Sequence, residues 1–295
     1  MLQINEFSAD DFDLIADLYA VENWGYLPSE IRRFAEWERK GCFIAKTNGQ
    51  YVGHVFSISY GHLGWIGLLR VDHKYGSRGI GTELMRKAIY YLYGKGVKTI
   101  RLEAVLKAVS LYHRLGFKEE FDSLRLTARI QNVSATENTS IPKSSDCVEI
   151  RSMNNKDIAS IAVMDSNYFG ASRIKVLERL FQDFPNLCFI AATGGTVFGY
   201  VMCRKSASDT YKIAPWICDP ELPEVAEKLL IACLRNVREN KVFALGIPAV
   251  NYRAVQIAKK CGFQTVDICR RMRLGQELVE ENPRGIFGIG GSEKG

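Results

Sequence analysis

The 295-residue chain has little of what marks several function classes. It has four histidines (His54, His62, His73, His113) and eight cysteines, but no Cys-x-x-Cys pair, and the histidines do not cluster with the cysteines. A structural zinc site needs closely spaced thiolate and imidazole ligands, so no metal is expected. The cysteines sit mostly in apolar runs and are expected as small buried thiols rather than disulfides. No apolar run approaches the roughly 18 residues a membrane span needs. The opening residues Met1 to Glu6 are too polar for a secretory leader. The expectation is a cytoplasmic protein with no membrane partner. A dense Lys/Arg block is also missing, as are zinc-finger and aromatic RNA-binding signatures, so no nucleic-acid partner is expected. What remains is a mild net charge of +6, which suits a phosphorylated small ligand and is otherwise a solvated surface.

What is present is a repeat. Cys42-Phe43-Ile44-Ala45 recurs as Cys188-Phe189-Ile190-Ala191, an offset of 146 residues. The same offset carries Gly53-His54-Val55 onto Gly199-Tyr200-Val201, Gly116-Phe117 onto Gly262-Phe263, and Ile4 with Asp11 onto Ile150 with Asp157. A period this long reads as a duplicated domain rather than a solenoid. Residues 132–146 have the Ser/Thr/Asn composition of a linker. This predicts one domain over 1–131, a second over 147–275, and a flexible, glycine-rich tail over 276–295.

Within the first copy, Asp10 or Asp11 is expected to open a helix carrying Phe12, Ile15, Ala16 and Leu18. A second helix is expected near 29–39. Strands near 42–47 and 51–60 are joined by Asn48-Gly49, a hairpin turn signal. A strand over 64–71 leads through a glycine loop into a helix over 80–94. A strand at 99–104, a short helix ending at Gly116 and a strand near 117–128 follow. Hairpins followed by a strand–helix–strand crossover give an α/β fold with a mixed, mostly antiparallel sheet flanked by helices.

The chemistry-bearing stretch runs from Leu69 through Val71 to Gly76-Ser77-Arg78-Gly79-Ile80-Gly81-Thr82. A strand ends, and a loop with three glycines turns directly into a helix. Helix N-termini carry unpaired N–H groups and partial positive charge, and glycine lets a phosphate approach them. The Gly-Lys-Ser/Thr ending of a P-loop is absent. Taken alone, the stretch is equally a structural glycine turn.

Joined to Leu111-Tyr112-His113-Arg114-Leu115-Gly116-Phe117, it resembles the GCN5-related N-acetyltransferase (GNAT) superfamily. The phosphate loop of that family reads Arg/Gln-x-x-Gly-x-Gly/Ala, and its later signature reads Leu-Tyr-x-x-Leu-Gly-Phe. One position departs: Gly76 stands where the family has Arg or Gln. Leu102-Glu103-Ala104 and the segment from Asp165 to Arg173, with its Phe-Gly-x-x-Arg pattern, further resemble two-domain members of the YitH type. The resemblance implies acetyl-CoA as co-substrate, held by Leu69, Val71 and residues 76–82, and attack by a primary amine on the thioester in a ternary complex. It implies a backbone N–H near Val71 as the oxyanion donor and Tyr112 as general acid. Glu22, Glu103 and His62 are candidate bases, with Glu103 preferred, and for each a structural or solvated role is the commoner expectation. Trp24 and Tyr26 are candidates for acceptor contact, or for simple packing.

In the second copy the offset turns Gly79-Ile80-Gly81 into Val225-Ala226-Glu227 and Tyr112 into Ala258. That copy is expected to have lost the chemistry and to serve as a lid, an acceptor-site wall or a homodimer surface. A non-catalytic acyl-CoA sensor is the alternative function, and a nucleotide binder is a third.

Overall fold

A computed structural model describes residues 1–21, 25–130, 148–206, 209–237, 240–277 and 282–295. The expected linker at 132–146 lies outside them. The elements in chain order are β1 (Leu2–Glu6), α1 (Ala9–Val21), α2 (Pro28–Glu38), β2 (Cys42–Thr47), β3 (Gln50–Tyr60), β4 (Leu63–Val71), α3 (Ile80–Gly94), β5 (Thr99–Val105), α4 (Val109–Arg114) and β6 (Lys118–Ile130). Then come β7 (Glu149–Ser152), α5 (Ile158–Phe169), α6 (Ile174–Asp183), β8 (Cys188–Thr193), β9 (Thr196–Lys205), β10 (Thr210–Cys218), α7 (Pro223–Arg235), β11 (Lys241–Pro248), α8 (Tyr252–Lys260), β12 (Gln264–Gly275) and β13 (Ile286–Gly288).

The chain divides into two units. The first unit holds Met1–Glu120, Arg270–Leu278 and Ser292–Gly295; the second holds Phe121–Cys269 and Val279–Gly291. Most of β6 thus belongs to the second unit and the end of β12 to the first. In the first unit the strand order is β1-β2-β3-β4-β5-β12, antiparallel up to β4, with β5 parallel to β4. In the second it is β6-β11-β10-β9-β8-β7, with β13 alongside β10. The exchange reaches the cores: Met272 of β12 is fully buried among α3 and β3–β5 side chains, and Leu126 of β6 is buried among those of the second unit.

Local structure follows local chemistry. α1 is opened by Ser8, not Asp10 or Asp11. The Asp11 N–H donates to Ser8 Oγ at 3.2 Å and the Ser8 N–H donates to Asp11 Oδ2 at 2.9 Å, a reciprocal cap that leaves Asp11 inside the first turn. The helix then buries Phe12, Ile15, Ala16 and Tyr19 at helical spacing. Asn48 and Gly49 take φ of 52° and 78°, the left-handed pair a tight two-residue hairpin needs. In α3, Leu84, Ala88 and Leu92 recur every fourth residue and are fully buried.

Of the expected tail over 276–295, residues 278–281 lie outside the described residues, and residues 284–295 make packed contacts. Asn251 Nδ2 donates to the carbonyls of Arg284 and Ile286, and β13 is buried within the second unit. Glu293 and Lys294 are only 3% exposed within the first.

Candidate active site

β4 arrives at the site with a bulge. Phe56 faces Gly67 but His54 faces Arg70, so β4 carries one extra residue, at Leu68 with φ of +50°. The bulge reverses the alternation. Ile66 packs toward α3 before it, and Leu69 and Val71 do so after it. β4 pairs with β5 only over Leu63–Trp65 against Thr99–Arg101, so the two strands part well before Val71.

The chain then passes through one 3-10 turn, His73–Tyr75, whose start is capped by the Asp72 carboxylate accepting from the Lys74 N–H at 2.9 Å. Ser77 and Gly79 both take positive φ, 60° and 77°, and α3 begins at Ile80 with no side-chain cap. The first intrahelical bond runs from Glu83 N–H to Gly79 O, which leaves the amides of residues 79–82 without helical acceptors. A Cβ on Gly79 would meet nothing within 4 Å. Ser77, Arg78 and Gly79 are exposed, with the Arg78 guanidinium 5.3 Å from the Tyr75 ring. An open, uncapped helix start beside exposed cations fits a pyrophosphate. Gly76 has φ of −56°, so its backbone does not require glycine and the departure there costs only a side-chain contact.

Gly81 ties the parts together. Its Cβ position lies 3.5 Å from Val71 Cγ2 and 3.9 Å from Leu111 Cδ2, joining the end of β4, the start of α3 and the helix that carries Tyr112. Tyr112 is buried edge-on to Phe117, with ring centroids 5.9 Å apart, and burial pushes its phenol up to about 12. Its hydroxyl therefore holds its proton across the neutral range.

The candidate bases fare differently. Glu103 has a fully buried side chain locked to Arg271, Nε to Oε1 at 2.6 Å, and the same guanidinium lies 4.6 Å over the Trp65 ring. The Glu103 carboxylate is thus engaged in a buried ion pair. His62 lies in the β3–β4 turn, at the opposite end of β4 from Val71, roughly 25–30 Å away at strand rise. Glu22 and Trp24 lie outside the described residues. Tyr26 is ordered, its hydroxyl donating to Glu293 Oε2 at 3.0 Å.

A polar cluster that sequence reasoning missed stands on the α1 side. His54, fully buried on β3, is held between Tyr19 OH at Nε2 (3.2 Å) and Tyr51 OH at Nδ1 (2.8 Å), and Tyr19 meets the Tyr26 ring edge-on at 5.5 Å. Burial holds the His54 imidazole neutral, with its pKa pushed down to about 3. A signal existed: the 146-residue offset carries Tyr19 onto Asp165 and His54 onto Tyr200, which also touch, within the second unit. There Asp165 is bound by both Arg173 Nε and Nη2, which gives the Phe-Gly-x-x-Arg segment a structural role. Because the unfolded chain protonates His54 near pH 6.5 and the folded chain does not, stability is lost as pH falls from 6.5 toward 3. The expected loss is about 2 kcal/mol by pH 5, read as a falling Tm. His54→Gln is expected to flatten that part of the profile.

The second unit differs at the corresponding place in its connection as well as in its residues. Between β10 and α7 lie only residues 219–222, against 72–79 in the first unit, and α7 starts with Pro223, which has no N–H. The constant offset also slips here, because the side chains meeting Gly53 and Gly199 are Leu84 and Leu229. Glu227 is paired with Lys260 at 2.6 Å, so its charge is already balanced within the unit. Ala258, fully buried in α8, does occupy the Tyr112 position: Phe117 N–H donates to Tyr112 O as Phe263 N–H does to Ala258 O.

A family model described as acetyltransferase (GNAT) family matches residues 9–117, and one described as acetyltransferase (GNAT) domain matches residues 161–288. The chain belongs to the GNAT superfamily. It is a tandem member, with two GNAT domains of mixed α/β fold. The holothin acyltransferase of Pseudoalteromonas sp. (strain SANK 73390) is similar, at 20% identity over 92% of this chain and 87% of that protein. N-alpha-acetyltransferase 30 of Homo sapiens is 29% identical over 40% of this chain, and the match spans 31% of that protein. The solved structure of a candidate acetyltransferase from Pyrococcus horikoshii superposes with a TM-score of 0.80 at 25% identity, covering 100% of this GNAT chain and 96% of that one.

Proposed function

We propose that the N-terminal unit transfers an acetyl group from acetyl-CoA to a primary amine by direct attack in a ternary complex, and that the second unit binds no cofactor. The observation that carries this reading is the juxtaposition at Gly81: uncapped α3 amides, the parted end of β4 and the Tyr112 helix within one packing layer. Acetyl-CoA supplies an activated thioester carbonyl. The amides of residues 79–82 hold its pyrophosphate, and the Val71 N–H is the donor for charge developing on the carbonyl oxygen. Tyr112 gives its proton to the leaving thiolate, a role its raised pKa suits because the phenol stays protonated until that anion forms. The acceptor amine, with a free pKa of about 10, loses its proton to solvent, since Glu103 is committed to Arg271.

Calorimetric titration of acetyl-CoA is the first test. One site per chain is expected; two sites would refute the asymmetry between the units, and none would refute the transferase reading. Tyr112→Phe is expected to lower turnover about 100-fold, the low end of general-acid contributions, with acetyl-CoA affinity unchanged. Undiminished turnover would remove Tyr112 from the chemistry.

A further inference from the structure

The second unit carries a cleft that the transfer chemistry leaves without a role. Ser160, Val163, Met164, Asn167 and Tyr168 fall on one stripe of α5, at the i, i+3, i+4, i+7 and i+8 positions of a helix. They share the cleft with Val197, at the start of β9, and Asp219, just past the end of β10. Strand pairing brings those two together, because Gly199 is registered with Cys218 and the Asp219 N–H donates to the Phe198 carbonyl at 2.9 Å. The cleft encloses about 400 Å³, within the range of small-molecule sites. Val163 is 65% exposed, and with Met164 and Val197 it gives the cleft an apolar wall open to solvent.

The polar groups of the cleft have bonding capacity left over. Asp219 Oδ1 accepts the Glu221 N–H at 2.9 Å, the same turn cap that Asp72 gives Lys74 in the first unit. Asp72 also has His73 Nδ1 at 3.4 Å, whereas Pro220 follows Asp219, and among the described residues no cation pairs with Asp219. The side chains of Ser160, Asn167 and Tyr168 likewise make no hydrogen bond among the described residues. Gly285 fixes the Tyr168 ring, since a side chain at 285 would collide with it. Burial, and then the charge of Asp219, push the Tyr168 phenol up to about 12, so it stays a protonated hydroxyl near the carboxylate. Asp219 is the one charged residue of the lining; Glu221 and Glu224 follow it, and Arg253, which reaches this connection, donates to the Pro220 carbonyl instead. A carboxylate with a spare oxygen, neutral polar groups around it and an apolar wall complement an ammonium group on a hydrocarbon body. We propose that this cleft of the second unit binds a small primary amine, its ammonium on the Asp219 carboxylate and the Tyr168 hydroxyl and its carbon chain along Val163, Met164 and Val197. The site is separate from the proposed acetyl transfer and needs no acetyl-CoA.

The probe is n-hexylamine, titrated without acetyl-CoA into the full chain carrying isotope-labelled methionine methyl groups and read by NMR. The Met164 methyl signal, identified by its loss in Met164→Leu, reports on the cleft directly. A saturable shift in the millimolar range is expected with hexylamine, and binding of n-hexanol or hexanoate at least tenfold weaker. Asp219→Asn keeps an acceptor for the Glu221 N–H, so the turn is retained, and it is expected to weaken hexylamine about tenfold. Val163→Lys, at an exposed position, adds a like charge to the cleft and is expected to remove binding with Tm unchanged. Absence of a saturable Met164 shift, or equal affinity for hexylamine and hexanol, overturns the proposal. So does unchanged hexylamine affinity in Asp219→Asn or in Val163→Lys. Failure of the acetyl-CoA titration would instead refute the transferase reading and leave this site standing, because Met164 and Asp219 both belong to the second unit.

Discussion

Gly79→Glu is expected to weaken acetyl-CoA binding at least 100-fold, read by calorimetric titration, while Glu227→Gln leaves it within twofold. The new carboxylate would sit at the uncapped start of α3, on the amides proposed to hold the pyrophosphate. Two unit charges about 4 Å apart near a protein surface repel by about 4 kcal/mol, enough to exceed the roughly 2.7 kcal/mol that a 100-fold loss represents. Strain cannot account for this effect. Gly79→Ala imposes the same left-handed backbone, φ of +77°, at a stability cost of about 1–2 kcal/mol, and has open space for its methyl. It is expected to lower affinity only a few-fold. Glu227 differs because Lys260 already neutralises it and because the loop before α7 is short and leads into a proline. Normal binding by Gly79→Glu would place the phosphates elsewhere.

Arg271→Met is expected to destabilise the protein by about 3–5 kcal/mol, since it leaves the Glu103 carboxylate buried without its partner. Thermal melts are expected to show Tm lower by about 10 °C or more. Adding Glu103→Leu to Arg271→Met is expected to restore most of the loss, because a buried ion pair replaced by apolar groups of similar size is close to neutral. The same pair decides the role of Glu103. Glu103→Gln should reduce turnover only in proportion to the fraction folded. A 100-fold loss in a fully folded Glu103→Gln protein would return Glu103 to the mechanism as base.

The α/β class, the duplication, the glycine loop and the Tyr112 helix could all be read from residue order. Each rests on chemistry within a few residues: the Asn48-Gly49 turn, the i, i+4 spacing of Leu84, Ala88 and Leu92, and the positive φ that glycine takes at position 79. Residue order says less where one residue type serves two purposes. Glu103 and His62 are both bases as letters; Arg271, 168 residues further along the chain, pairs with one, and the length of β4 sets the other at the far end of the strand from Val71. His54 looked like an ordinary member of the repeat until Tyr19 and Tyr51 closed on its two ring nitrogens.

The sequence by itself determined that the two copies differ at the glycine loop and at the Tyr112 position, because glycine content and the loss of a tyrosine hydroxyl are local properties. Tertiary structure alone decided which strands complete each sheet and where residues 292–295 lie. A strand of alternating polarity buries the same face in either sheet, so exchanging β6 and β12 alters no local signal. Likewise Ser292-Glu293-Lys294-Gly295 has the composition of a solvated tail. Only the donors on Trp65, Tyr60 and Tyr26, and the missing side chain of Gly67, make burial of that segment favourable.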